Sequence, residues 1–503
     1  MIRTTLAALA AMAVAASLGG CGSGTGPAPS QTASSTQEAA PAAKDFADEL
    51  AGRVSLDAMM GDLQRLQEIA DANGGNRALG TPGYDASVDY VVNTLRDSGF
   101  DVQTPEFEVR LPFAEKPELT VAGAPVEAKA LEYTIGTPPQ GVTGPLVLAR
   151  SEDSPGCTAD DYDGLPVQGA VVLVDRGQCP FGVKQSVAAG RGAVAVIVAN
   201  NQAGDNLQAT LGTDTDVRIP AVGVTKAVGD GLRAAPGPVS LRLDAGVRTE
   251  RTRNVIAQTK TGSTADVVMA GAHLDSVPAG PGINDNGSGV AAVLETARRL
   301  GGSPQVHNAV RFAFWGAEEL GVLGSQNYVE SLDRDQLQDI ALYLNFDMLG
   351  SPNPGYFAYD GDQSAPRDPN AGAPRVPEGS AGVERTLAGY LDVAGKPARD
   401  TSFDGRSDYQ PFTAAGIPSG GLFSGAEEEK SPEEADIWGG EANRPFDPNY
   451  HKKTDTVDAI DRTALEIHGR GVGFAVGLYA QDQRGRNGIP IRADRTRHPT
   501  GPT

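Results

Sequence analysis

Acidic and histidine side chains are concentrated directly after strand-like apolar runs or in glycine-rich turns. In folds that alternate strands and helices, reactive groups gather at such positions, at the carboxyl ends of the strands. Two histidines and several carboxylates form a donor set that suits a pair of divalent metal ions of the zinc type. The candidates are His273, Asp275, Asp285, Glu318, Glu319, Asp347 and His451, with Asp455 and Asp458 after the last. The sequence therefore indicates metal-assisted chemistry, although spacing alone does not establish that these residues converge.

Each motif also has a simpler interpretation when it is taken alone. Asp275 lies two residues after His273, so strand alternation would let its carboxylate hydrogen-bond the imidazole and fix the tautomer. Asp285, in a glycine-rich turn before a helix, is also typical of a helix cap. Adjacent glutamates such as Glu318 and Glu319 are usually solvated, but at a strand end beside other acids they repel unless a cation neutralises them.

Strands and helices that would position these residues alternate along the sequence between residues 251 and 483. The predicted strands are 254–259, 266–272, 309–315 and 340–346, and the predicted helix is 289–300, whose apolar residues form one stripe that can pack on a sheet. Upstream, 55–72 and 84–98 have helical spacing, and 100–110 alternates like a strand. This pattern predicts an α/β protein.

The segment from residue 117 to residue 250 has a different pattern of apolar residues. Short apolar runs separated by Gly, Pro and Asp predict buried strands at 144–148, 170–174 and 193–198 and a helix at 182–190. No ionisable cluster suited to catalysis occurs there. After Cys21, only Cys157 and Cys179 remain, and a disulfide between them is the natural inference for an exported chain.

The amino terminus indicates export. Residues 1–20 combine Arg3 with an apolar run that is too short to span a bilayer comfortably, which predicts a secretory signal peptide. Leu18-Gly19-Gly20-Cys21 resembles a bacterial lipoprotein box, which implies a lipid on Cys21 and attachment to the outer side of the cell membrane. Ordinary cleavage and release into the medium is the alternative. Residues 21–44 have the composition of a flexible tether.

Composition and charge exclude several classes of function. A length of 503 residues allows two or three cores. The net charge of −22 argues against a nucleic-acid partner, because the surface repels phosphate backbones. Neither G-x-S-x-G nor H-E-x-x-H occurs, so the chain lacks the defining residues of serine hydrolases and of thermolysin-like enzymes.

The tail 484–503 carries five arginines and is expected to be disordered, with membrane or partner contact as the alternative.

Five separated motifs resemble the signature of the co-catalytic di-zinc aminopeptidase family, especially its secreted bacterial members of the leucine aminopeptidase type. They are His273-Leu274-Asp275, Asn284-Asp285-Asn286-Gly287-Ser288-Gly289, Trp315-Gly316-Ala317-Glu318-Glu319, Asn345-Phe346-Asp347-Met348 and Tyr450-His451. The resemblance implies a three-layer α/β/α domain with a mixed central sheet, built from residues 45–116 and 251–483. Residues 117–250, with their motifs around Cys157, Cys179 and Lys184, resemble a protease-associated domain, a β-rich insert that flanks or covers a peptidase site.

The resemblance implies a ligand set for two zinc ions. His273 and Asp347 would hold one ion. Glu319 and His451 would hold the other, and Asp285 would bridge the two.

The same resemblance implies the catalytic and substrate-binding residues. Glu318 would be the general base, and Asp275 would orient His273. Tyr450 and Arg406 match positions near the substrate, with Tyr450 as an oxyanion donor. Unlike close secreted relatives, the chain has no cysteines flanking the last histidine motif.

The implied activity is removal of N-terminal, bulky apolar residues from peptides with a free N-terminus, by an enzyme expected to be monomeric. A dipeptidase or a carboxypeptidase of the same fold is an alternative, because the metal site does not determine which end of the substrate is bound. A receptor-like binding protein is another, since transferrin receptors share the architecture without an active metal centre. The presence of all five candidate ligands and of Glu318 argues against this second alternative.

Overall fold

Two eight-stranded sheets and a two-stranded ribbon between them organise the chain. The computed structural model describes residues 39–150, 155–204, 207, 209–212, 215–365 and 376–501. The predicted signal peptide, Cys21 and residues 22–38 of the predicted tether lie outside the described residues.

The helices and strands are numbered here in chain order. The helices are α1 Ala39–Arg53, α2 Leu56–Ala72, α3 Pro82–Asp97, α4 Phe181–Gly190, α5 Lys226–Ala234, α6 Gly289–Leu300, α7 Leu323–Glu330, α8 Arg334–Asp339, α9 Ser380–Val393, α10 Tyr409–Ala414, α11 Pro432–Trp438 and α12 Arg462–Gln481. The strands are β1 Asp101–Gln103, β2 Glu106–Ala114, β3 Glu118–Val121, β4 Ala124–Val126, β5 Lys129–Ala130, β6 Val142–Leu148, β7 Val171–Asp175, β8 Ala195–Ala199, β9 Ala221–Val224, β10 Pro238–Arg242, β11 Ala245–Arg253, β12 Val255–Gln258, β13 Ser263–His273, β14 Asn308–Trp315, β15 Ile340–Phe346, β16 Phe357–Tyr359, β17 Arg399–Thr401 and β18 Ser419–Phe423.

The first sheet has the strand order β1-β12-β14-β13-β15-β18-β16-β17 and is mixed, with four parallel strands from β14 to β18 at its centre. Alternate residues of β13 pack into separate apolar clusters on the two faces of the sheet. Val268 and Ala270 pack with helices such as α2, α3, α6 and α12 on one face. Met269 packs on the other face with residues of α7, α8 and α10. The predicted three-layer α/β/α architecture is therefore confirmed.

The second sheet, of order β4-β3-β10-β6-β7-β8-β9-β5, forms the insert. Its two faces are covered by separate apolar clusters, one that includes Leu232 of α5 and one that includes Ala188 of α4. The chain enters and leaves the insert through β2 and β11, which pair antiparallel along their whole length. The predicted disulfide between Cys157 and Cys179 is present in the insert.

Local sequence signals explain the helix boundaries near the site. Ser55 caps α2 by accepting the backbone N–H of Ala58, and Thr81 caps α3. Pro82 in the first turn lets α3 begin before the predicted residue 84, because its fixed φ suits that position. Both α6 and β15 have the predicted bounds.

The amino-terminal helix corrects one expectation. α1 begins at Ala39, inside the segment expected to be a flexible tether. It packs closely on α12, where a side-chain carbon on Gly477 would lie 2.9 Å from Cα of Ala47. The small residues of both helices allow this approach and make α1 part of the domain built on the first sheet. No helix in the described ranges is long and apolar enough to cross a membrane.

The expectation of a disordered tail is wrong for residues 484–501. Arg495 and Arg497 are buried, each only 4% exposed. Arg497 donates hydrogen bonds to the carbonyls of Leu337, Gly416 and Ile340, and Arg495 pairs with Asp266. An arginine-rich segment can be ordered when its guanidinium groups satisfy carbonyl groups at the ends of other elements.

Candidate metal centre

Three neighbouring parallel strands bring the predicted residues to one edge of the first sheet. β13 ends at His273, which lies opposite Trp315 at the end of β14, and β15 ends at Phe346. Glu318 and Glu319 follow β14, and Asp347 follows β15. The carboxyl ends of parallel strands therefore create the convergence that spacing alone left open.

His273 and His451 each contact two carboxylates. Nε2 of His273 lies 3.2 Å from Oδ1 of Asp285 and 3.3 Å from Oδ1 of Asp347. Nε2 of His451 lies 3.2 Å from Oδ2 of Asp285 and 3.1 Å from Oε2 of Glu319. Asp285 thus directs one oxygen to each histidine, and the five predicted ligands form two adjoining groups.

The residues fit zinc by geometry and by donor chemistry. Two ligand atoms about 2.0–2.1 Å from a tetrahedral zinc ion lie about 3.3 Å apart, close to the separations within each group. Among the described residues, Oε1 of Glu319 is buried and accepts no hydrogen bond. The same holds for Oδ1 of Asp347, whose contact with Nε2 of His273 is an ion pair without hydrogen-bond geometry. Buried carboxylate oxygens without a donor are costly. A cation in each group would satisfy them.

The protonation equilibria reflect this excess of negative charge. Burial alone would lower the pKa of His451, but hydrogen bonds to Asp285 and Glu319 outweigh it and raise the pKa to about 10. Burial and the neighbouring charge of Asp285 raise the pKa of Glu319 to about 7. Protons therefore compensate the carboxylates when no cation does, and metal binding would release them.

Asp275 acts through different atoms from those predicted. Nδ1 of His273 contacts the main-chain carbonyl of Asp275 at 3.1 Å, whereas the carboxylate Oδ1 is 3.8 Å away. The carboxylate instead accepts the backbone N–H groups of Glu318 and Glu319, at 3.2 and 3.3 Å. Asp275 thus uses its carboxylate to hold the turn after β14. This corrects the prediction that the same carboxylate hydrogen-bonds the imidazole of His273.

Glu318 lies beside the first group, with Oε2 3.8 Å from Nε2 of His273. Burial raises its pKa well above the ordinary value. The preceding residue, Ala317, has a left-handed φ of 59°, which costs about 1–3 kcal/mol for a residue with a side chain. This strained turn aims two successive glutamates at the same cluster.

Tyr450 and Arg406 lie together at the open side of the centre. The Tyr450 ring stacks on His451 with centroids 3.9 Å apart. Arg406 donates to the Tyr450 hydroxyl at 3.2 Å and to Glu427 at 2.8 Å. Glu427 is itself half exposed, yet it holds the guanidinium group of Arg406 in place.

Two buried residues support the turn that carries Asp285. The sequence places one of them, Asp455, among the acidic candidates and does not single out the other, Arg77. The carboxylate of Asp455 accepts the backbone N–H groups of Asn284 and Asp285, at 2.7 and 3.0 Å. Arg77 is completely buried and donates to the carbonyls of Pro281, Gly282 and Leu274. A motif search cannot find Arg77, because its partners are main-chain atoms some 200 positions away.

Comparison with known proteins identifies the family. Residues 254–476 match the family model of Peptidase family M28, and residues 142–232 match that of the PA domain. The chain is 69% identical over 458 residues to the probable lipoprotein aminopeptidase LpqL of Mycobacterium tuberculosis, with 91% of each chain covered. The chain belongs to peptidase family M28. The predicted peptidase family and the predicted protease-associated insert are confirmed.

Other aminopeptidases are also similar to this chain. Leucine aminopeptidase 2 of Arthroderma otae is 40% identical over 461 residues, covering 90% of each chain. An aminopeptidase from Aneurinibacillus sp. strain AM-1 has a TM-score of 0.68 at 28% identity, covering 86% of this chain and 96% of its own. A zinc aminopeptidase from Bacillus subtilis has a TM-score of 0.64 at 27% identity, covering 87% and 98%.

Arg77 generates a prediction about stability. Arg77→Met should lower the free energy of unfolding by about 3–5 kcal/mol, because it removes the buried cation beneath the carboxylates and takes one hydrogen-bond donor from each of three carbonyls. Urea denaturation followed by tryptophan fluorescence measures the change. The matched control is Arg65→Met, which removes only the exposed i,i+3 pair with Glu68 and should change stability by less than about 0.5 kcal/mol. Equal stability of the two variants would contradict the role of Arg77.

Proposed function

We propose that this M28 enzyme is a zinc aminopeptidase that uses two zinc ions and Glu318 as the general base. The observation that carries the proposal is the division of Asp285 between two ligand groups, one with His273 and one with His451. A carboxylate that faces two separate sets of donors is what a bridging ligand requires.

The metal ions and the protein have separate tasks. Zinc bound at such a site lowers the pKa of a water molecule and polarises a carbonyl group. Glu318 takes a proton from the attacking water while the water oxygen bonds to the scissile carbonyl carbon. Glu318 then gives the proton to the leaving amine nitrogen as the carbon–nitrogen bond breaks. Burial raises the pKa of Glu318, which makes its carboxylate a stronger base for this transfer.

Tyr450 is the proposed donor to the developing oxyanion. Burial raises the pKa of Tyr450, so its hydroxyl stays protonated at neutral pH and can donate a hydrogen bond. Its stacking on His451 and its contact with Arg406 fix the hydroxyl close to the second ligand group. Arg406 positions Tyr450 and binds the substrate beside it. Asp275 positions Glu318 and the ring of His273.

The proposed substrates are peptides with a free N-terminus, and the proposed preference is for bulky apolar residues. The relatives named aminopeptidase or leucine aminopeptidase support this choice over a carboxypeptidase or dipeptidase. The complete set of ligands and Glu318 supports an enzyme over a binding protein. The name of the lipoprotein relative supports export and attachment to the outer side of the membrane through Cys21. The proposed oligomeric state is a monomer.

The central experiment uses leucine p-nitroanilide and its N-acetylated counterpart. The enzyme should cleave only the free-amine substrate, lose activity on chelation and regain it with zinc. The acetylated substrate controls for the need for a free amine, because it differs only at that group. Cleavage of both substrates, or of the free-amine substrate without metal, would overturn the proposal.

Zinc content tests the two-metal arrangement. The native enzyme should hold two zinc ions per chain by elemental analysis after dialysis. Asp347→Asn and His451→Gln should each leave about one, because each removes a ligand that only one group uses. Asp285→Asn should lower the content of both sites, whereas the exposed control Asp458→Asn should retain two. A native content of one ion would contradict the bridging role of Asp285.

Glu318→Gln separates proton transfer from metal binding. We expect both zinc ions to be retained and kcat to fall by about 10²–10⁴-fold, since the amide cannot accept the proton. Glu68→Gln, an exposed change of the same type, should keep the native kcat. A near-native kcat in Glu318→Gln would remove the general-base assignment.

A further inference from the structure

A groove of about 1390 Å³ lies at the end of the M28 domain opposite the metal centre. It is lined by residues of α1, α9 and α12 and by the carboxyl-terminal segment from residue 481 to residue 495. Asp266 lines it near the start of β13, and His273 ends the same strand at the metal centre. Seven strand residues span about 23 Å, so the groove and the centre occupy opposite edges of one sheet.

The groove combines an apolar floor with exposed apolar residues at its rim. Tyr390, Phe474 and Leu478 are partly exposed along the floor. Val393 is 90% exposed and Ile491 is 50% exposed. In the described ranges only four large hydrophobic residues are exposed, and the two most exposed of them border this groove. Such a concentration indicates a surface that meets an apolar partner.

The charge around the groove is opposite to that of the whole chain. Six lining residues are Lys or Arg and three are Asp, whereas the chain has 42 basic and 64 acidic residues. Arg385, Arg484 and Arg486 are exposed and form no ion pair within the described part of the chain. Two of the three aspartates, Asp48 and Asp266, are already paired with lysine or arginine. The three arginines are therefore available to an anionic partner.

The position of the amino-terminal segment relates this face to the membrane. Ala43 and Lys44 of α1 line the groove. Only residues 22–38 separate Cys21 from the first residue of α1. At about 3.5 Å per residue this segment reaches at most about 60 Å, so a lipid on Cys21 would hold this end of the enzyme close to the bilayer.

We propose that the groove docks the enzyme on an anionic phospholipid surface. An acyl chain occupies the apolar floor, and headgroup phosphates bind Arg385, Arg484 and Arg486. In this orientation the metal centre, at the opposite edge of the sheet, faces away from the bilayer and stays open to peptides. The proposal requires neither a lipid on Cys21 nor the proposed peptidase activity.

Vesicle co-sedimentation tests the electrostatic contact. The zinc-loaded chain from residue 22 onward, which keeps every described residue and carries no lipid, is mixed with vesicles of phosphatidylcholine alone or with an equal part of phosphatidylglycerol. It should bind only the anionic vesicles, and binding should weaken as salt is raised. The triple variant Arg385→Glu, Arg484→Glu and Arg486→Glu should bind at least roughly a hundredfold more weakly in total. Each of the three arginines should account for a factor of about ten or less.

A matched variant controls for net charge. Arg150→Glu, Arg242→Glu and Arg251→Glu make the same charge change at exposed positions in the insert and the ribbon, and this variant should retain most of the binding. Both triple variants should keep native activity in solution, which shows that they fold. Equal loss of binding in both, or native binding in the groove variant, would overturn the proposal.

Two further readouts test the acyl contact and the orientation. Val393→Ser should weaken vesicle binding several-fold, whereas Val183→Ser, an exposed valine in the insert, should not. The vesicle-bound enzyme should cleave leucine p-nitroanilide with an unchanged kcat/KM. No binding to any vesicle, together with binding of another protein at the groove, would overturn the proposal in favour of a protein partner. Loss of activity on vesicles would overturn the proposed orientation, in which the metal centre faces away from the bilayer.

Discussion

Buried negative charge at one edge of the central sheet is the constraint on which the rest of the domain depends. Asp285, Glu318, Glu319 and Asp347 lie within a few ångströms of one another and are largely removed from water. Like charges so close together raise one another's pKa or separate unless something fixes and neutralises them. Histidines, a buried arginine and backbone N–H groups share this task within the chain, and the ligand geometry leaves the rest to cations.

The backbone around the centre is held in conformations that the local sequence does not favour. Ala317, Met348 and His451 all have left-handed φ values, and each is a candidate ligand or lies within two residues of one. Such conformations persist only where the surroundings determine them. The buried parallel strands and the turn contacts of Asp275 and Asp455 provide that determination. Part of the backbone strain therefore lies where orientation of the reactive groups matters most.

The sequence predicted best what repeats or forms a motif. A periodic apolar stripe defined α6, a continuous apolar run defined β15, and the ordered motifs defined the candidate ligands that the structure brings together. Arg77 could not be predicted, because its role depends on carbonyl groups supplied by a distant turn. The tail was misjudged for a related reason. The composition of the tail shows only how many charged residues it contains. Whether Arg497 is ordered depends instead on the hydrogen-bond acceptors that surround it in the folded chain.

The ribbon of β2 and β11 has a consequence for how the chain can fold. β1 pairs with β12 although residues 104–255 separate the paired positions Gln103 and Ile256. The insert has its own apolar clusters and can form as a unit. Once β2 and β11 have joined, the effective loop shortens from roughly 150 residues to a few, which lowers the entropic cost of closure by about 3 kcal/mol. The insert thereby acts as an internal clamp that brings the two halves of the peptidase domain within reach of each other.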